Sequence, residues 1–349
     1  MATQPATMMA AHVHGPGDVR LDPIAVPMPG PGEVLVRVAA CGICGSDLGY
    51  IAKGSLDGVH PLLQPLPLGH EFAGTVVAVG SGVDGIATGS RVAVNPDRGY
   101  IGGGGPDGAM APYIRVGAAK MGDTLFPLPD HVSFAEAALA EPLSVALHGL
   151  RRVRATADDT VAIMGAGPIG LCAVALLRHM GARRIAIFDR VDSRLERARA
   201  LGASMAVNVT AEPLTAALGR FHGVGDRFGA PFVGTDVFVD AAGSGPALAE
   251  AIGHAKKGAR IAVIALHKAP LPIDLFRLMA NEITLAGAIA DDRPREFAEA
   301  LAMIAENGAA LAPLISHSYP FDRFAEALAM AADADKAAKV MLTFPEGAA

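Results

Sequence analysis

No tryptophan occurs in the 349 residues, and Phe, Tyr and Trp together make up only 5%. So thin an aromatic supply disfavours a stacking platform for single-stranded nucleic acid. Positive charge is short as well. The 29 Lys+Arg against 35 Asp+Glu leave a formal charge of −6, the wrong sign for a chain built to sit on phosphate backbones or anionic lipid. No run approaches the ~18 uncharged apolar residues of a membrane span; the longest candidate, Ile163 to Leu177, is broken by glycines and a proline. Met1 to Gly17 shows no basic stretch followed by an apolar one, so no export signal is read there. Cysteine is scarce too. Cys41, Cys44 and Cys172 cannot build a disulfide framework, and in this context thiols kept for metal or left inert are expected. The expectation is a soluble cytoplasmic protein with no nucleic-acid or membrane partner.

Apolar residues and glycine are plentiful. Hydrophobic content is 51% against 18% charged, far from the composition of a disordered chain. The length suits two domains. Texture changes near residue 155. Before it, short β-rich runs such as Val34–Val38, Gly74–Val79 and Arg91–Val94 alternate with Gly/Pro turns, the spacing of a mostly antiparallel, barrel-like domain. After it, strands alternate with helical stretches, which predicts a parallel α/β sheet. Six strands are predicted: Thr160–Met164, Arg184–Phe188, Met205–Val209, Asp236–Val239, Arg260–Leu266 and Ile283–Ile289. Helices are expected over Pro168–Met180, Ser193–Leu201 and Arg295–Asn307, the first two closed by Gly181 and Gly202. The run Gly102–Gly105 reads as a flexible loop. The tail from Pro294 is too small to stand alone and is expected to return to the first domain, which divides the chain into 1–154 with 291–349, and 155–290.

The first predicted strand of the second region enters Gly165-Ala166-Gly167-Pro168-Ile169-Gly170, a G-x-G-x-x-G opening a helix. The first glycine permits a tight turn, the second lets backbone approach a pyrophosphate, and the third lets helix pack on strand. Asp189 ends the next strand, placed to accept ribose hydroxyls and repel a 2′-phosphate, so NAD is expected over NADP. The adjacent Arg190 is the one feature that would suit a phosphate.

In the first region stand Cys41-Gly42-Ile43-Cys44-Gly45-Ser46-Asp47, then Gly69-His70-Glu71, then Glu141-Pro142-Leu143-Ser144. A thiolate, an imidazole and carboxylates suit zinc, with too few thiolates for a closed structural site. The other histidines, His12, His60, His131 and His254 among them, are assigned no chemistry.

On these segments, from His14-Gly15-Pro16-Gly17-Asp18 to the closing Lys339-Val340-Met341-Leu342, the chain resembles the zinc-dependent medium-chain dehydrogenase/reductase family, particularly its sorbitol, polyol and butanediol dehydrogenase branch. The resemblance covers essentially the whole length. It implies a GroES-like, mostly-β catalytic domain plus a Rossmann domain with a doubly wound six-stranded parallel sheet. It gives Cys44, His70 and Glu71 as zinc ligands, with Glu141 as the fourth, directly or through water, and Cys41 as a buried neighbour. Ser46 matches the hydroxyl that touches the substrate oxygen, and Tyr50 a pocket tyrosine that could equally be packing. The family's second relay histidine falls on Gly49 here. Gly165, Gly167, Pro168, Ile169, Gly170, Asp189, Arg190 and Arg194 would face NAD, and the backbone at Leu266 and Ile289 would flank the nicotinamide. The family's structural zinc has no cysteines here, so one catalytic zinc per chain is expected. The polyol enzymes' Arg-Tyr pair falls on Ala288-Ile289-Ala290-Asp291-Asp292, which points away from sorbitol and toward a smaller or less polar secondary alcohol. Family habit implies a homodimer or homotetramer. A zinc-free quinone or enone reductase and a catalytically silent nucleotide-binding protein are the competing expectations.

Overall fold

Strand β3 (Val34–Ile43) is buried along almost its whole length, because it is covered on both faces and paired on both edges. Each fully buried Val, Leu or Ile of this kind contributes roughly 1.5–3 kcal/mol. In this computed structural model, which describes residues 5–289 and 293–345, it is the hub of the first half.

Before β3 come β1 (Thr7–Gly15) and β2 (Asp18–Ala25), a hairpin. After it come α1 (Gly45–Lys53), β4 (Leu66–Pro67), β5 (Glu71–Val79), β6 (Arg91–Val94), β7 (Tyr113–Val116) and β8 (Leu125–Pro127). Helices α2 (Phe134–Ala138) and α3 (Ala140–Arg152) lead to the second half. There β9 (Thr160–Met164), α4 (Pro168–His179), β10 (Arg184–Asp189), α5 (Asp192–Ala200), β11 (Met205–Asn208) and α6 (Leu214–His222) follow in turn. A hairpin of β12 (Val224–Arg227) and β13 (Ala230–Val233) precedes β14 (Val237–Asp240), α7 (Gly245–His254), β15 (Arg260–Val263), α8 (Leu275–Ala280) and β16 (Thr284–Gly287). The return carries α9 (Pro294–Asn307), β17 (Ile315–Pro320), α10 (Phe324–Ala332) and β18 (Lys339–Thr343).

Two large sheets result. One has the order β17-β18-β3-β5-β6-β8, with β7 also on β3, and its ladders are antiparallel except β17 with β18. The other is a six-stranded parallel sheet, β11-β10-β9-β14-β15-β16, the doubly wound arrangement expected of a dinucleotide fold. Because β17 and β18 join the first sheet, the tail does return to the first half.

The six predicted strands all form, with ends that differ. β15 stops at Val263 and not Leu266, and β16 spans Thr284–Gly287 rather than Ile283–Ile289. The apolar run continues past the last ladder pair in both, since Leu266 and Ile289 are exposed beyond the sheet. Helix α4 ends at His179, with Gly181 at φ +93°. Gly102–Gly105 is a tied turn and not a free loop. Gly102 donates to Asp107 O at 2.8 Å, and a Cβ on it would meet Gly69 O at 2.3 Å.

Candidate active site

Antiparallel pairing of β3 with β5 sets Gly42 opposite Glu71 and Cys41 opposite Phe72. Just past the end of this ladder, Cys44 leaves β3 and His70 precedes β5, and their ligand atoms come together there. On the other edge of β3, β18 pairs Val340 with Ile43, which carries Lys339 to the same corner. Three neighbouring strands thus deliver a thiol, an imidazole, a carboxylate and an ammonium to one point.

The ligand atoms of Cys44, His70 and Glu71 all lie within 4.8 Å of one another, the one such cluster among the described residues. Room for Glu71 comes from Gly42, where a Cβ would stand 2.1 Å from Glu71 Oε2. Gly69, at φ +94°, passes so close to Met110 and Cys41 that a Cβ would meet Met110 N at 2.6 Å. Gly42 and Gly69 are steric requirements of the site.

Cys44 caps α1, its N–H donating to Asp47 Oδ2 at 2.8 Å, and an acid in the first turn also favours the helix dipole. Asp47 is fully buried; Gly69 N donates to its Oδ1 at 3.4 Å, and His70 Nδ1 stands 3.6 Å from that oxygen. That is too long for a hydrogen bond, so Nδ1 is buried with no partner. A carboxylate behind the imidazole is how a metal-binding histidine is oriented. Burial pulls His70 toward its neutral form, yet the negative charge of Asp47 and Cys44 outweighs it and holds its pKa well above the usual range. A half-buried thiol and imidazole gathered with a buried carboxylate fit a divalent cation, and zinc suits this donor set.

Glu71 and Glu141 are both held by buried cations. Lys339 Nζ donates to Glu71 Oε1 and Oε2 at 2.5 and 2.6 Å and to Ile43 O at 3.2 Å. Burial still leaves the Glu71 pKa raised, with Lys339 opposing it. Glu141, in the first turn of α3, receives Arg293 Nη2 at 2.7 Å. Arg293 also donates through Nη1 to Ser144 Oγ, and through Nη2 and its backbone N–H to Asp97 at 3.1 and 3.0 Å. Burial pushes the Glu141 pKa up, and the guanidinium overcomes it, so the net direction is down. Paired in this way, Glu141 stands outside the three-residue cluster. Ser46 Oγ is 3.4 Å from His70 Nε2, and Tyr50, one turn along α1 from Ser46, has its phenol pKa raised by burial. Cys41 and Cys172 are buried, apart from the cluster.

Asp47, Lys339 and Arg293 are the residues that sequence reasoning gave no role. Asp47 sits within the quoted motif and could have been found there. The other two reach their partners across 268 and 152 positions. Residues Ala290, Asp291 and Asp292, read as the site of a missing guanidinium, lie outside the described residues, and the guanidinium of Arg293 follows directly.

A second cleft, of about 990 Å³, runs along the carboxyl ends of the parallel strands. It gathers Gly165, Gly167, Asp189, Arg190, Arg194 and Leu266. Pro168, Ile169, Gly170 and Ile289 do not line it; Gly170 packs helix on strand, a Cβ there falling 1.9 Å from Gly165 O. Gly165 needs its φ of +100° for the turn. Gly167 faces open space, with only Arg194 Nη1 at 4.0 Å, and caps α4 without any side chain, which leaves free N–H groups at a positive helix end. Asp189 Oδ2 accepts from Ala166 N at 2.7 Å and its Oδ1 from Arg190 N and Val191 N at 2.7 and 3.0 Å.

Comparison with known proteins settles the family. Residues 168–306 match the zinc-binding dehydrogenase model and residues 30–130 the alcohol dehydrogenase GroES-like domain. Sorbitol dehydrogenase of Bacillus subtilis is 34% identical over 305 residues, covering 82% of this chain and 83% of that protein. The chain belongs to the zinc-dependent medium-chain dehydrogenase/reductase family. Human sorbitol dehydrogenase is 30% identical, with 90% of each chain covered. Among solved structures, 2R,3R-butanediol dehydrogenase from Bacillus subtilis superposes with a TM-score of 0.85 at 28% identity, covering 96% and 99% of the two chains. An Escherichia coli alcohol dehydrogenase complexed with NADH gives 0.84 at 26%, covering 97% and 100%. For this dehydrogenase, the GroES-like and Rossmann halves are the antiparallel and parallel sheets described above.

Proposed function

We propose that this dehydrogenase is a zinc- and NAD-dependent enzyme that oxidises a secondary alcohol or diol to the ketone. The convergence of Cys44, His70 and Glu71 within 4.8 Å carries the reading. These three would hold the zinc, with Glu141 available once it leaves Arg293. When bound, zinc supplies Lewis acidity at the alcohol oxygen and NAD accepts the hydride.

The chain's own residues do the rest. Ser46 stands beside His70 to take the alcohol proton, and Tyr50 adjoins Ser46 where substrate would rest. Asp47 places its negative charge behind the His70 ring, 3.6 Å from Nδ1. Gly49 supplies no relay side chain, so the proton leaves Ser46 by water or by a ribose hydroxyl. Arg293 has both carboxylates of its buried cluster as partners, which supports a small or weakly polar alcohol over sorbitol. The two sheets support domain limits of 1–154 with 291–349 and 155–290.

The free edge of β16, flanked by the exposed Leu275, Phe276 and Met279, supports pairing of two copies into a dimer, or a tetramer of two dimers. A cytoplasmic site of action accords with the composition. Among the described residues no helix is long and apolar enough to cross a membrane.

Metal quantification alongside a panel of alcohols with NAD and NADP tests the proposal. Expected are one zinc per chain, NAD-linked turnover of secondary alcohols, and loss of both metal and activity in Cys44→Ser with the fold kept. Turnover in a zinc-free preparation would favour a reductase of the quinone or enone type.

A further inference from the structure

The cofactor cleft contains an imidazole that the reading above leaves unused. The parallel sheet runs β11-β10-β9-β14-β15-β16, so β9 and its glycine turn sit at its middle. A dinucleotide with its pyrophosphate at the start of α4 and its adenosine half toward Asp189 on β10 must run its other half over β14 and β15. Asp240 ends β14, and His267 follows β15.

Asp240 is buried and fully engaged. Its Oδ1 accepts from Ala242 N and Gly243 N at 3.2 and 3.0 Å, and its Oδ2 lies 2.6 Å from His267 Nε2. The backbones here are packed tightly, since a Cβ on Gly243 would meet Leu266 O at 2.7 Å. The carboxylate is therefore a fixed acceptor that turns the ring and takes its Nε2–H. A neutral imidazole whose Nε2 donates keeps Nδ1 as an acceptor. His267 lines the cleft. Among the described residues its Nδ1 has no hydrogen-bond partner, and it is not among the buried polar atoms.

The geometry points to His267 as a cofactor-binding residue whose Nδ1 accepts a hydrogen bond from a hydroxyl of the nicotinamide-side ribose, with Asp240 as the residue that positions it. The assignment rests on the dinucleotide reading of the cleft and adds a side-chain anchor for the half of the cofactor that meets substrate. It also separates the two ends of the ligand. Asp189 serves the adenosine ribose, and the Asp240–His267 pair serves the other.

Three ligands of graded length test it on the purified full-length protein by calorimetry: NADH, ADP-ribose and ADP. Only the first two carry the second ribose. In His267→Ala, NADH and ADP-ribose should each bind about tenfold more weakly, the worth of one lost hydrogen bond, while ADP binds as before. Asp240→Asn, which keeps an acceptor for the two backbone N–H groups, should show the same selective pattern to a smaller degree. Unchanged affinity for all three ligands overturns the assignment. So does an equal loss for all three, which would mean that the side chain only shapes the cleft. A wild-type chain that binds none of them overturns the dinucleotide reading itself, and this assignment with it.

Discussion

Lys339 Nζ bridges both carboxylate oxygens of Glu71, at 2.5 and 2.6 Å, in a place where the two side chains are 2% and 1% exposed. An ion pair so far from water owes its stability to the partner's presence. Removing one member leaves a charge with nowhere to go.

Lys339→Met should accordingly destabilise the metal-free protein by about 3–5 kcal/mol, read from urea denaturation. Adding Glu71→Gln should restore part of that loss, because the stranded anion is gone. A double variant no more stable than Lys339→Met would show that the lysine acts through packing.

Gly42→Ala should cost the protein its metal. The new methyl would fall 2.1 Å from Glu71 Oε2, and the carboxylate must leave the cluster. Gly45→Ala is the matched control, since a Cβ there meets nothing within 4 Å. Zinc per chain, measured by elemental analysis, should drop in the first and hold in the second.

Asp189→Ser should move coenzyme preference toward NADP, raising the NADP to NAD ratio of kcat/KM about tenfold or more. The serine removes the charge that repels a 2′-phosphate and leaves Arg190 and Arg194 in the cleft. An unchanged ratio would take coenzyme choice away from Asp189.

Acid should weaken the parallel-sheet half through His222. Its Nδ1 meets Thr235 Oγ1 at 2.9 Å, its Nε2 is buried without a partner, and burial lowers its pKa to about 4. The unfolded chain takes up this proton near pH ~6.5 and the folded one only near 4. Stability therefore falls as pH drops from about 6.5 to 4 and loses nothing more from this group below that. Allowing for partial exposure to solvent, the loss is about 1–2 kcal/mol. His222→Gln should flatten that segment of a stability–pH curve; an identical slope would assign the acid response elsewhere.

Much of the site was legible because its parts are local. The thiol of Cys44 and the His70–Glu71 pair lie in short motifs, and their meeting follows once β3 and β5 pair. The glycine turn and Asp189 are likewise set by one strand–helix–strand unit. Lys339 and Arg293 carry no such signal. Each is an ordinary basic residue until the chain folds, and only tertiary pairing shows what it neutralises. The β12–β13 hairpin was overlooked for a different reason. Its short strands carry glycine, proline and charge that dilute the β signal, although Phe228-Gly229, with φ values of +56° and +77°, forms the turn between them. Strand ends misled where apolar residues serve the cleft or an exposed edge, since hydrophobicity there no longer reports burial.

The placement of Lys339 on the last strand also bears on how the protein matures. During translation the thiol and imidazole emerge early, but the cation that neutralises Glu71 leaves the ribosome some 268 residues later. The corner that neutralises Glu71 is therefore complete only once the tail has added β18 to the edge of β3.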